Sequence, residues 1–109
     1  MKIIEIIGID EKHANLLEKE GFGNVEDLLT LTASQIKKLA KKIGISAELL
    51  DTWQEHADLM RIEGINPKIA NALNLIGLDS VKEFARRNPK SIITKLKELK
   101  KENQSKMQH

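Results

Sequence analysis

The feature that most constrains this 109-residue sequence is a stretch that occurs twice. Gly64-Ile65-Asn66-Pro67-Lys68-Ile69-Ala70 is followed by Leu73 and by Gly77-Leu78. Fifty-six positions earlier, Gly8-Ile9-Asp10-Glu11-Lys12-His13-Ala14 is followed by Leu17 and by Gly21-Phe22. Each copy reads as a glycine turn, a short helix and a closing glycine turn. A glycine that takes positive φ allows a tight reversal. The Asp or Asn two residues on is a preferred N-cap, because its side-chain oxygen accepts an orphan amide of the new helix. Pro67 suits the first helical position, where a missing N–H costs nothing. Ala14 and Ala70 let a neighbouring helix approach closely, and Leu17 and Leu73 lie three residues further on the same face.

This pattern, Gly-apolar-Gly, three residues, Ala, two residues, Leu, resembles the helix-hairpin-helix motif. The resemblance implies that hairpin amides hold a DNA phosphate with help from a nearby basic residue. Lys12 and Lys68 stand at the matching positions. The second glycine of the motif is replaced by Asp10 in one copy and Asn66 in the other. Asp10 adds negative charge, so the copy at Gly64 is the better phosphate candidate.

The register continues past the turns. Val25 aligns with Val81, Leu28 with Phe84 and Ile36 with Ile92. Capping signals and apolar periodicity predict helices over Glu11–Glu20, Val25–Leu31 (capped by Asn24), a capped helix through Lys42, Ala47 to about Ile62, Pro67–Ile76, Val81–Arg87, and Pro89 to about Lys101. Thr32-Ala33-Ser34-Gln35 and Ser80-Val81-Lys82-Glu83 read as capping boxes. The first seven residues are expected to form a short helical turn. Trp53 is expected in the core. Repeat one spans 4–45 and repeat two 58–100, within one domain over 1–101. Residues 102–109 are expected to be a flexible polar tail.

A closer resemblance rests on both repeats, a Gly44-Ile45-Ser46 turn and the phrase Leu50-Asp51-Thr52-Trp53-Gln54-Glu55-His56-Ala57-Asp58-Leu59. Together these look like a family of tandem helix-hairpin-helix domains that carries a "domain of unknown function" label. It implies an all-α fold, a compact bundle of two tandem repeats. More distantly the pattern is similar to SAM-like helical domains, such as those at the N-terminus of RecA-like recombinases and the C-terminus of the bacterial RNA polymerase α subunit.

Composition narrows the function classes. There is no cysteine, which removes disulfides and thiolate metal sites. Aromatic residues are only Trp53, Phe22 and Phe84, too few for a base-stacking platform. The apolar start carries Glu5 and is too short for a membrane segment, so a cytoplasmic protein is expected. Net charge is +2 but uneven. Up to Val81 there are 9 Lys and Arg against 13 Asp and Glu; from Lys82 there are 9 against 3. A basic end of this kind attracts nucleic acid, or is simply a solvated surface.

The candidate nucleic-acid contacts are Gly64, Ile65, Asn66 and Lys68, then Gly8 and Lys12, then Arg86, Arg87 and Lys90. Lys37, Lys38, Lys41 and Lys42 cluster on one helix side and suit phosphates without reading bases; an ordinary solvated face explains them equally simply. Glu48, Asp51, Glu55 and Asp58 form an acidic stripe suited to a basic partner or to solvent. His13, His56 and His109 show no zinc spacing. No metal ligands, cofactor site or catalytic constellation is visible, so no enzyme is expected. The leading expectation is a non-enzymatic module gripping duplex DNA backbone without sequence preference. The alternative is a protein-interaction adaptor.

Overall fold

Each of the five α-helices between residues 11 and 86 begins at a side-chain oxygen. In the computed structural model, which describes residues 1–78, 80–86, 94, 97 and 98, α1 is Glu11–Lys19 and starts at Asp10, whose Oδ1 accepts the His13 amide at 2.8 Å. α2 (Ala33–Ile43) starts at Thr32, and Gln35 Oε1 accepts the Thr32 amide in return at 2.8 Å. α3 (Ala47–Leu59) starts at Ser46 and α4 (Pro67–Leu75) at Asn66. α5 (Val81–Arg86) starts at Ser80, whose Oγ accepts the Glu83 amide at 3.1 Å. Two 3₁₀ turns, Ile3–Glu5 and Val25–Thr30, complete the chain order. There is no strand among the described residues, only an isolated bridge between Lys2 and Asn24.

α3 is the central element, packed on the second 3₁₀ turn, α2 and α4. Its Leu50, Trp53 and Ala57 are buried in a cluster with Ile3, Ile6, Ile9, Leu17, Val25, Leu28, Ile36 and Ala40. Trp53, 1 % exposed, lies in that core as expected. Polar ties fix the same contact. Gln54 Nε2 donates to the carbonyls of Leu28 and Leu31 at 2.8 and 2.9 Å, closing the open end of the second 3₁₀ turn. The N-terminal segment is held by Ile3 N donating to Gly23 O at 3.0 Å and Val25 N donating to Met1 O at 2.9 Å.

A second, smaller cluster joins the end of α3 to α4. Leu59, Ala70, Leu73 and Leu78 are buried there, with Ile62, Ile65, Ile69 and Ile76 half-buried around them.

Several element bounds differ from the sequence expectation. The expected helix after Asn24 is a 3₁₀ turn, because its bonds reach three residues back rather than four. Asp27 N donates to Asn24 O at 3.1 Å, and Val25 N is drawn away to Met1 O. α3 stops at Leu59, three residues short of Ile62. Arg61 N and Ile62 N tighten onto Asp58 O and Leu59 O, turning the chain toward Gly64. Leu49, apolar and at helical spacing with Trp53, is nonetheless 39 % exposed. Ile76 is only half-buried and lies past the end of α4. The expected helix from Pro89 and the expected tail fall almost wholly outside the described residues.

Candidate nucleic-acid interface

The two copies of the turn have the same backbone bonding. Ile9 N donates to Ile6 O at 3.2 Å, and Ile65 N to Ile62 O at 3.1 Å. Ala14 N and Ala70 N donate to the carbonyls of Asp10 and Asn66, both at 2.9 Å. At the far end, Phe22 N reaches Leu17 O at 2.8 Å and Leu78 N reaches Leu73 O at 3.0 Å. Gly8 and Gly64 take φ of +103° and +86°, values that side-chain-bearing residues rarely adopt.

This geometry decides which donors face outward. The amides that follow Gly8 and Gly64 belong to Ile9 and Ile65, and both are engaged inside the turn. The amides of His13 and Ile69 are taken by the Asp10 and Asn66 side chains at 2.8 Å. The oxygen that replaces the motif's second glycine therefore occupies a helix N-terminal position that an anion would otherwise take. An incoming phosphate has to displace it or bind beside it. Gly64, Asn66 and Lys68 are exposed at the second turn, as are Gly8 and Lys12 at the first.

Charge separates the copies. In the first, Asp10 is an anion, Glu11 follows it in the opening turn of α1, and His13 Nδ1 lies 2.6 Å from Asp10 Oδ1. The His13 amide, and after it the His13 ring, hold the Asp10 carboxyl below its ordinary pKa of 3.8. The second turn has neutral Asn66 and Pro67, and no acidic residue opens α4. Glu63, exposed, directly precedes it. The first turn also rests on the core. The His13 and Trp53 rings are 6.1 Å apart at 60°, and a Cβ on Gly8 would stand 3.6 Å from Trp53 Nε1.

The remaining candidates divide. Arg86 is exposed at the end of α5, whereas Arg87 and Lys90 lie outside the described residues. Lys37, Lys38, Lys41 and Lys42 are all exposed on α2, and Lys42 Nζ pairs with Glu20 Oε2 at 2.9 Å. A surface pair of this kind contributes at most about 1 kcal/mol. The acidic stripe is two things. Glu48 and Asp51 are exposed. Glu55 and Asp58 are structural: Glu55 Oε2 accepts from Asn74 Nδ2 at 2.8 Å, and Asp58 accepts from Arg61 and from the Val81 amide at 2.8 and 2.9 Å. A groove of about 440 Å³ beside them, lined by Leu29, Gln54, Glu55, Asp58, Arg61 and Ser80, is walled largely by these engaged groups.

Two features were not legible in the sequence. His56, placed beside the acidic stripe, is 2 % exposed, and its Nδ1 has no hydrogen-bond partner among the described residues. Asp58 anchors the start of α5 from 23 residues away. The Gly44-Ile45-Ser46 turn indicated by the sequence has the same parts as the two repeated ones: positive φ of 79° at Gly44 and a Ser46 cap on the Leu49 amide. Its spacing was legible, since Trp53 stands nine residues after Gly44 as Leu17 does after Gly8. His109 lies outside the described residues. Among the described residues no three His, Asp or Glu converge on a metal position, and no helix is long and apolar enough to cross a membrane.

The family described as Domain of unknown function (DUF4332) matches residues 7–109, so the chain belongs to it. No curated protein and no solved structure matches the chain.

Proposed function

For this member of that family, we propose a non-enzymatic, cytoplasmic module of two tandem helix-hairpin-helix repeats that holds duplex DNA backbone without reading base sequence. The grip is the second hairpin, Gly64 to Lys68, with Arg86 as an outlying cation. The first hairpin is structural, since it carries Asp10 and Glu11 and rests on Trp53. The observation that carries this reading is the contrast between two turns of one geometry: the second presents exposed Lys68 at a helix N-terminus whose first turn holds no acid. A helix N-terminus and a cation together favour an anion.

Contacts limited to phosphate give weak, salt-dependent and sequence-tolerant binding. The test is titration of a random-sequence duplex with the full chain at low and moderate salt. The expected result is binding at low salt that weakens as salt rises and is lost in Lys68→Glu. Absence of binding at low salt, or indifference to Lys68→Glu, overturns the proposal.

The second reading is a protein adaptor docking a basic partner on α3. It is favoured by Glu48 and Asp51, exposed beside an apolar groove floored by Ala33, Ile36 and Ala47. A stoichiometric protein partner recovered after nuclease treatment, and lost in Glu48→Lys with Asp51→Lys, supports it. Loss of every partner with nuclease contradicts it.

A further inference from the structure

His56 is the one polar or charged residue buried in the core of the described chain. It sits in the last turn of α3, in sequence between Trp53 of the larger cluster and Leu59 of the smaller one that α3 forms with α4. Its Nδ1 is buried and has no hydrogen-bond partner among the described residues. The Asn74 side chain of α4 lies beside the ring and donates through Nδ2 to Glu55 Oε2 at 2.8 Å. His56 and Asn74 thus meet where the two halves of the molecule join.

A neutral imidazole can leave one ring nitrogen as a bare acceptor at moderate cost. An imidazolium cannot, because both nitrogens become donors and the ring carries charge. Burying that charge with an unpaired N–H is far costlier. We propose that His56 is an acid-sensitive latch on the α3–α4 seam, whose protonation releases α4 while the cluster around Trp53 stays folded. The cluster sizes favour this order. The cluster at α4 contains four buried residues, whereas the first contains fourteen among the described residues.

Among the described residues, the charged groups around the seam are engaged by other partners. On α3 itself, Glu55 is bonded to Asn74, and Asp58 is held by Arg61 and the Val81 amide. α4 presents neutral Asn74 there, and its Lys68 is exposed at the opposite end. From the second 3₁₀ turn, Glu26 faces the N-terminal amine and Asp27 the Asn24 amide. From α2, Lys37 lies beside Glu48 and Asp51, two turns away along α3. Burial accordingly pushes the His56 pKa below its ordinary 6.5, an effect that Asn74 offsets only in part.

The latch is independent of what the protein binds. The test is amide exchange by NMR on the full chain between pH 7.5 and 5, with the histidine rings titrated in the same samples. The expected result is that α4 protection factors fall by up to tenfold per pH unit as pH drops below the ordinary histidine range. Those of α1 and α2 hold, and the His56 ring titrates late. His13→Gln leaves the behaviour intact, and His56→Leu abolishes it. Protection of α4 that is constant with pH, a fall that survives His56→Leu, or an equal fall in α1 and α2 overturns the latch. Should His56→Leu not fold, a wild-type His56 ring titrating at or above the ordinary value overturns it.

Discussion

Asp10 and Asn66 make the same bond 56 residues apart: each Oδ1 accepts the backbone amide three residues on at 2.8 Å. Their backbones agree as well, with φ and ψ of −88° and 170° at Asp10 and −93° and 175° at Asn66. What differs is charge. One copy places a carboxylate at the tip of its turn and the other a neutral amide. The proposed division of labour, a structural first turn and a binding second one, follows from that difference.

Removing either cap leaves a helix amide unsatisfied. Asn66→Ala is expected to cost about 1 kcal/mol by urea unfolding, and Asp10→Ala to be destabilised in the same sense. Asn66→Gly loses only a few tenths, since glycine is a tolerable N-cap. It also clears the oxygen from the α4 N-terminus, so duplex affinity is expected to rise in the same variant. Unchanged or weaker binding by Asn66→Gly would count against a phosphate at this turn.

Asp10 has a pH signature of its own. Its carboxyl is held below the ordinary 3.8 by the His13 amide and then by the His13 ring. The stabilisation is therefore fully present above the ordinary value and is lost as pH falls through the folded-state value. The gap in unfolding free energy between wild type and Asp10→Asn is expected to be steady just above that range and to shrink below it. A gap that widens on acidification would contradict the assignment.

Gln54 is a long-range tie. Its Nε2 serves Leu28 O and Leu31 O together, so Gln54→Leu strands the partly shielded Leu31 O and leaves Leu28 O only the Leu31 amide, at 3.3 Å. The expected loss is roughly 1–3 kcal/mol by denaturant unfolding. An effect below a few tenths would mean that water replaces the amide.

Gly8 and Gly64 share a strained φ but not their surroundings. Alanine at either is expected to cost on the order of 1–3 kcal/mol through the backbone alone. A Cβ at Gly8 stands 3.6 Å from Trp53 Nε1, whereas at Gly64 nothing among the described residues lies within 4 Å. Gly8→Ala is thus expected to shift Trp53 fluorescence, and Gly64→Ala to leave it unchanged. Equal spectra in the two variants would contradict the placement of Trp53 beneath the first turn.

What the sequence made legible was local. Asp10, Thr32, Ser46, Asn66 and Ser80 cap helices because the bond spans three residues, a distance that spacing alone specifies. Trp53 was legible because its helical spacing placed it on the apolar face of α3. The long-range polar ties were not. Asp58 reaching the Val81 amide, Gln54 reaching two carbonyls and His56 entering the core each depend on how elements pack. His56 lies beside Glu55 and near Asp58 in the sequence, and nothing in that polar stretch marks it for burial. At the candidate site, the exposure of Lys68 was readable from position. The Asn66 side chain already engages the Ile69 amide, so the proposed phosphate site is partly filled by the protein itself.

The most direct test of the phosphate grip is NMR shift mapping on the full chain as a random-sequence duplex is added at low salt. The account predicts that the amides of Gly64, Asn66 and Lys68 move most, that those of Gly8 and Lys12 move little, and that added salt or Lys68→Glu cancels the change. No shifts at low salt, or shifts centred on Gly8–Lys12 or on Glu48 and Asp51, would contradict it.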